Sequence, residues 1–264
     1  MAPRIPTEHH SDLVEHARRW AGHILGGDLA WQIKTRTGGM LRTYVYRRIY
    51  EALRAEPDMD FVEIGIAAGS ASIAIAKAMA DAGMQSKLIA AEKLTADEQN
   101  RVEKHGLSEE LLRQNFAAFG VDRRIDLFLD QLRHDNASQL LEKLKTPQIS
   151  GMMHDADGQI QRDLHILGSR LRPNALIIID DYEDSNDHSK KQTTFRMVNR
   201  LIDQGLLAPQ KIVHNTLFAR WPADADPSRI DFNECFEIVQ QVRREFGLTP
   251  LEYSGDKLEG FPAN

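Results

Sequence analysis

The 264-residue chain has a single cysteine, Cys235, so no internal disulfide can form. That favours a reducing setting. No apolar run approaches the roughly 20 residues that a membrane helix needs. The first ten residues, Met-Ala-Pro-Arg-Ile-Pro-Thr-Glu-His-His, are too polar for a secretory leader. Positive charge is scarce as well: 33 Lys and Arg against 39 Asp and Glu give a net charge of −6, so no overall field recruits nucleic acid. These absences predict a cytoplasmic, soluble protein whose partner is a small molecule, with no nucleic acid and no membrane.

With 42% hydrophobic and 27% charged residues, the chain has the composition of a globular protein with a sizeable core. Ser11 is placed to cap a helix through Leu13, Ala17, Trp20 and Ile24. A second helix follows Gly38-Gly39, with Leu41, Tyr44, Val45, Ile49 and Leu53 facing inward, and closes at Ala55–Asp58 before the pattern changes. Strands are predicted at Phe61–Ile64, Lys87–Ala91, Ile125–Leu129, Gly151–His154 and Ala175–Ile179. Helices are predicted between them at Ser70–Ala82, 108–119, Asn136–Leu144 and Asp163–Leu171. Lys211–Val213 and Thr216–Trp221 form a hairpin pattern, and Phe232–Phe246 reads as a last amphipathic helix. Alternating strands and helices imply an α/β fold with a doubly wound, seven-stranded, mostly parallel sheet. The hairpin adds an antiparallel C-terminal edge. The expected organisation is one domain: a helical cap over 1–58, a core over 59–222, and a helix and tail over 223–264. The extra N-terminal helices can serve an interface between copies of the chain.

Two groups of residues stand where an open α/β sheet binds ligands, past the C-terminal ends of its strands. The first is Glu63-Ile-Gly65-Ile-Ala-Ala-Gly69-Ser70. Gly65 and Gly69 permit tight turns and close backbone approach. The loop lacks the Lys-Ser/Thr ending of a phosphate loop and the three-glycine spacing of a dinucleotide fingerprint. Glu63 lies inside the strand, where an unpartnered carboxylate is costly unless a cationic ligand group or the turn's own amides stabilise it. Glu92, ending the next strand, is placed to accept the ribose hydroxyls of an adenosine ligand. A nicotinamide-dependent dehydrogenase would use the same acid, so two enzyme classes stay open on these residues.

The second group is His154-Asp155-Ala-Asp157 and Asp180-Asp181-Tyr182. Converging carboxylates repel one another unless protonated or bridged by a cation. All-oxygen ligation by Asp155, Asp180 and Asp181 suits a hard divalent ion such as Mg²⁺. The alternative is that these aspartates cap helices, the reading preferred for Asp157. His154, in a buried strand, is expected to be structural. Lys190 and Lys191 are expected to be solvated.

Val62–Ser70 resembles the first motif of class I S-adenosylmethionine (SAM)-dependent methyltransferases, with Ala67 where many members carry glycine. The resemblance implies a Rossmann-like fold. It places Glu63, Gly65, Gly69, Ser70 and Glu92 around the cofactor, with Asp130 and Gln131 at the adenine and Asp155 nearby. The Asp155 and Asp180-Asp181-Tyr182 segments, with Gly39-Met40 upstream, resemble metal-dependent small-molecule O-methyltransferases. The macrocin type, which methylates antibiotic sugar hydroxyls, is the nearer match, and the catechol and caffeoyl-CoA types are more distant. This resemblance implies natural-product biosynthesis, a sugar, vicinal diol or catechol acceptor, metal ligands at Asp155, Asp180 and Asp181, and a catalytic base at His188 working with Asp155. Many catechol-type enzymes carry a catalytic lysine where this chain has Gly158, which rules out a lysine base at that position. A metal-independent methyltransferase and a non-catalytic binding protein on the same fold remain as alternatives.

Overall fold

The structure is a computed structural model that describes residues 28–94 and 107–250, together with the backbone of residues 7–8. The helix expected through Leu13 and Ile24, and the tail beyond residue 250, lie outside the described residues. Eight strands form one sheet: β1 (Thr7–Glu8), β2 (Phe61–Ile64), β3 (Leu88–Ala91), β4 (Ile125–Phe128), β5 (Ile149–His154), β6 (Leu171–Ile179), β7 (Ala208–Val213) and β8 (Thr216–Trp221). Their spatial order is β1-β7-β8-β6-β5-β2-β3-β4. The seven expected strands are all present, and β1 adds a two-residue pairing at the rim. Only β8 runs against the others, because it pairs antiparallel with both β6 and β7. The hairpin forms the antiparallel edge as expected, with its second strand paired to β6 and only the two-residue β1 beyond β7.

Every residue of β2, β3 and β5 is buried, as strands covered on both faces must be. Side chains alternate between two cores. Val62, Ile64, Met152, Ile177 and Ile179 pack on one face beneath α6 (Ile160–Leu167), α7 (Ser189–Asp203) and α8 (Phe232–Glu245). Phe61, Leu88, Met153, Leu176 and Ile178 pack on the other, beneath α2 (Thr43–Arg54) and α3 (Ser70–Asp81). Ala30 and Ile33 of α1 (Leu29–Thr37) join that second core. Two short helices, α4 (Glu109–Ala118) and α5 (Ala137–Leu141), flank β4. The N-terminal helices thus complete the main core instead of building their own.

Three elements depart from the sequence pattern. The first two, α1 and α7, were not anticipated. The buried positions of α7 include Gln192 and Thr194 beside Met197, Val198 and Leu201, so its first turns read as polar loop. α1 buries only Ala30 and Ile33, too little for a periodic signal. The third departure is β6, which begins at Leu171, four residues early, and carries Pro173. Its register with β5 is irregular between Ile149 and Gly151, and a proline is tolerated where the ladder is interrupted.

Candidate active site

Strand register lines up the candidate residues. Ile64 lies beside Ala91 and His154, His154 beside Ile179, and Ile179 beside Leu217. One step further along, Glu92, Gly65, Asp155, Asp180 and Thr216 follow as a row across the C-terminal edge. Backbone hydrogen bonds extend the ladder into that row, from Gly65 to Ala91, Asp155 to Ile64 and Asp180 to His154. Chain order reverses direction between β2 and β5. The row therefore spans the switch-point crevice where such sheets bind ligands.

On the β2–β3 side, the Glu92 carboxylate accepts the amides of Ile66 (2.8 Å) and Ala67 (2.7 Å), fixing the turn after Gly65. The glycines make room for the protein itself. A Cβ on Gly65 would lie 2.2 Å from the Asp155 carbonyl oxygen, and one on Gly69 would lie 2.4 Å from the Phe116 ring. Both also sit at positive φ, 82° and 79°. At these positions the turn thus packs closely against the loop after β5 and against Phe116 of α4. Ser70 shares its hydroxyl with Thr37 at 2.6 Å. The Tyr46 hydroxyl stands beside it and accepts the Leu41 amide. Burial pushes the Tyr46 phenol up to about 12, with Asp155 and Asp180 adding to the shift.

Glu63 is wholly buried, and neither carboxylate oxygen has a hydrogen-bond partner among the described residues. Burial pushes its carboxyl up to about 8, with Asp155 and Glu92 contributing in the same direction. The Ser72 hydroxyl beside it offsets a part without closing a hydrogen bond. A buried carboxyl left in this state costs stability. An ammonium group fits the place, because it would supply the missing donors and cancel the charge.

On the β5–β6 side, one carboxylate oxygen from each of Asp155, Asp180 and Asp181 lies within 4.8 Å of the others. Burial, then Asp180, raises the Asp155 carboxyl well above the usual carboxylate range. Burial, then Asp181, raises Asp180. The β7–β8 hairpin holds the pair: Thr216 Oγ1 donates to Asp180 Oδ1 at 2.5 Å, and Asn215 Nδ2 to Asp181 Oδ1 at 3.3 Å. Asp181 turns the chain at φ 58°, a strained conformation of the kind concentrated at functional sites. Three oxygen donors of excess negative charge fit a hard divalent cation.

Lys190, on the first turn of α7, is not solvated as expected. Its Nζ lies 2.7 Å from Asp181 Oδ2 and 3.4 Å from Asp155 Oδ1. His188 is exposed at the boundary of α7, its backbone N–H held by Ser185 Oγ. From this segment it is Lys190, and not the histidine expected as base, that reaches the carboxylates. Lys191 is paired with Glu183 instead.

Around this edge runs a supporting network. His154 Nδ1 meets Asp163 at 2.6 Å in full burial, and Asp163 in turn accepts Arg162 Nε at 2.8 Å. Arg162 reaches Asp157 at 2.7 Å. Asp157 also accepts the Gln159 amide and the Gln131 side chain. Although burial opposes it, the Arg162 guanidinium holds the Asp157 carboxyl at about 2. Asp130 accepts the Gln131 amide and the Asn136 side chain, fixing the turn after β4. Thr216, Asn215 and Tyr46 carried no signal in sequence, since each comes from an element distant from the acids in the chain, and Lys190, close behind Asp181, read as a solvated side chain.

Residues 62–182 match the family model described as a methyltransferase domain. Among solved structures the chain resembles TomG from Streptomyces achromogenes, an O-methyltransferase involved in tomaymycin synthesis, in complex with SAM. The identity is 14% and the TM-score 0.57, over 81% of this chain and 100% of that one. The O-methyltransferase from Bacillus cereus in complex with S-adenosylhomocysteine (SAH) is similar at 17% identity and a TM-score of 0.51, over 75% and 89% of the two chains. A SAH-bound methyltransferase of Podospora anserina is similar at 14% and 0.53, over 84% and 99%. No curated protein matches the sequence. Among the described residues no helix is long and apolar enough to cross a membrane. The domain match favours the methyltransferase reading over the dehydrogenase reading that Glu92 left open. Residues 62–182 match a methyltransferase domain, and the chain shares the fold of solved O-methyltransferases in complex with SAM or SAH.

Proposed function

We propose that this protein transfers the methyl group of SAM to a hydroxyl of a small molecule, with a divalent cation held by Asp155, Asp180 and Asp181. The observation that carries this reading is the convergence of those three carboxylates on the same sheet edge as the unpartnered Glu63. Glu63 holds the ammonium of the cofactor's amino acid portion. Glu92 faces its ribose, with Asp130 and Gln131 on the adenine side. A divalent cation at the three aspartates supplies Lewis acidity toward the acceptor hydroxyl. Thr216 and Asn215 keep the aspartates aimed, so the acceptor oxygen is oriented before reaction. As the acceptor oxygen bonds the methyl carbon, the carbon–sulfur bond of SAM breaks, SAH remains, and the hydroxyl proton is released to solvent. Two adjacent oxygens suit such a cluster, which favours a vicinal diol, as on a natural-product sugar, or a catechol. The likeness to TomG, an enzyme of tomaymycin synthesis, supports a natural-product acceptor.

The test is methyl transfer from labelled SAM to a panel of catechols and sugar diols, with Mg²⁺ or with chelator. Turnover is expected only with the cation. Asp180→Ala is expected to lower it by about 100-fold or more, the scale of losing one preorganised electrostatic group. SAH binding by calorimetry should stay within about twofold, since Asp180 lies on the acceptor side. Full turnover in chelator would refute the metal role, and absence of SAH binding would refute the cofactor assignment.

A further inference from the structure

We infer that Lys190 is the resident cation of the acidic cluster, and that a divalent ion must displace it to bind Asp155, Asp180 and Asp181. The inference rests on the metal reading proposed above.

The Lys190 ammonium lies 2.7 Å from Asp181 and 3.4 Å from Asp155, two of the three carboxylates that would hold the ion. An ion among three carboxylate oxygens within 4.8 Å of one another would share Asp155 and Asp181 with Lys190. Both cations would also repel at that distance. The lysine reaches the site from α7, and the loop after β5 admits it. At Gly158 a Cβ would lie 3.0 Å from Thr194 Oγ1 and 3.5 Å from the Lys190 carbonyl oxygen, so a side chain there would crowd the first turns of α7.

Lys190 is suited to exchange. An ammonium is a point charge on a flexible stem and lacks the rigid two-pronged grip of a guanidinium. Its side chain is 30% exposed, so a path to water is open. Lys191 cannot take its place, because Glu183 holds it at 2.6 Å. In the metal-free protein Lys190 keeps the three aspartates from repelling one another. The apparent metal affinity is correspondingly lower than three carboxylates alone would give.

Mn²⁺ titration followed by electron paramagnetic resonance tests this on the full chain. Lys190→Met is expected to bind Mn²⁺ at least about tenfold more tightly than wild type, equivalent to about 1.4 kcal/mol. Lys190→Arg, which keeps the charge, and Lys191→Met should show no tightening. Equal or weaker binding by Lys190→Met, with wild type binding Mn²⁺, overturns the inference and leaves the metal reading standing. No binding by either protein overturns both. Should Lys190→Met fail to fold, amine acylation of wild type read by mass spectrometry replaces it. Mg²⁺ should raise labelling of Lys190 severalfold and leave Lys191 unchanged, and an unchanged Lys190 overturns the inference.

Discussion

Asp60, immediately before β2, and Glu63, near its C-terminal end, are both fully buried, and the fold treats them in opposite ways. Asp60, at the N-terminal end, accepts the backbone amides of Lys87, Lys145 and Thr146 and ties three segments together. Glu63, at the C-terminal end, has no partner at all among the described residues. Buried charge is tolerated when it is satisfied. A carboxyl left unsatisfied three residues further on fits the proposed ligand end of the sheet. The aspartate cluster is a third case, in which an internal cation stands in. One edge of the sheet is built for stability, and the other keeps its charges incompletely or exchangeably paired.

Two substitutions can break this contrast. Asp60→Asn should destabilise the protein by about 3 kcal/mol, the scale for losing a charged acceptor bonded to backbone amides, measured by denaturant unfolding. Glu63→Gln should leave the ligand-free protein at least as stable as wild type near neutral pH. It should weaken SAH binding by about 10- to 100-fold, the worth of a charge-assisted contact, as read by calorimetry. If both variants lost stability equally and SAH affinity held, the contrast would fail.

On the metal side, Thr216→Val removes the hydroxyl that aims Asp180 while keeping the shape of the side chain. Divalent-ion affinity should fall by about tenfold, as for supporting partners of metal ligands, with SAH affinity unchanged.

The pH dependence of stability gives a smaller signal with a definite sign. Glu63 titrates near 8 in the folded protein against an ordinary 4.5, so the fold binds its proton more tightly than the unfolded chain does. Its contribution is full below about pH 4.5 and is lost as pH rises toward 8, by at most about 1.4 kcal/mol per pH unit. Asp155 and Asp180, also raised, act with the same sign. The melting-temperature difference between wild type and Glu63→Gln across that window isolates Glu63, and SAH should shrink it. The smallest effect is expected at His188. Because His188 is exposed outside the cluster, His188→Ala should change kcat by less than about threefold, and a loss of 100-fold would restore it as the base.

Three acids of the site were legible in the sequence because each follows a buried strand. Glu92 follows Leu88–Ala91, Asp155 follows the buried β5, and Asp180 follows Ile177-Ile-Ile179. Period and strand-end position together place such residues at the binding edge. The groups that hold them were not legible. Thr216 meets Asp180 only because β8 inserts beside β6, a pairing no local pattern encodes. Lys190 sits in a polar stretch that reads as loop, because the first buried positions of α7 are Gln192 and Thr194. The glycine turn was legible from its spacing, but that Gly65 and Gly69 also admit the Asp155 carbonyl and Phe116 was not. Long-range packing decided these points, and sequence spacing carries little of it.

Crystals grown with SAH and Mn²⁺ provide the most direct test, through anomalous difference density at the manganese edge. The account predicts one peak ligated by Asp155, Asp180 and Asp181, with the SAH ammonium at Glu63 and Lys190 withdrawn from the cluster. SAH bound with its ammonium away from Glu63, or no manganese peak at the three aspartates, would contradict it.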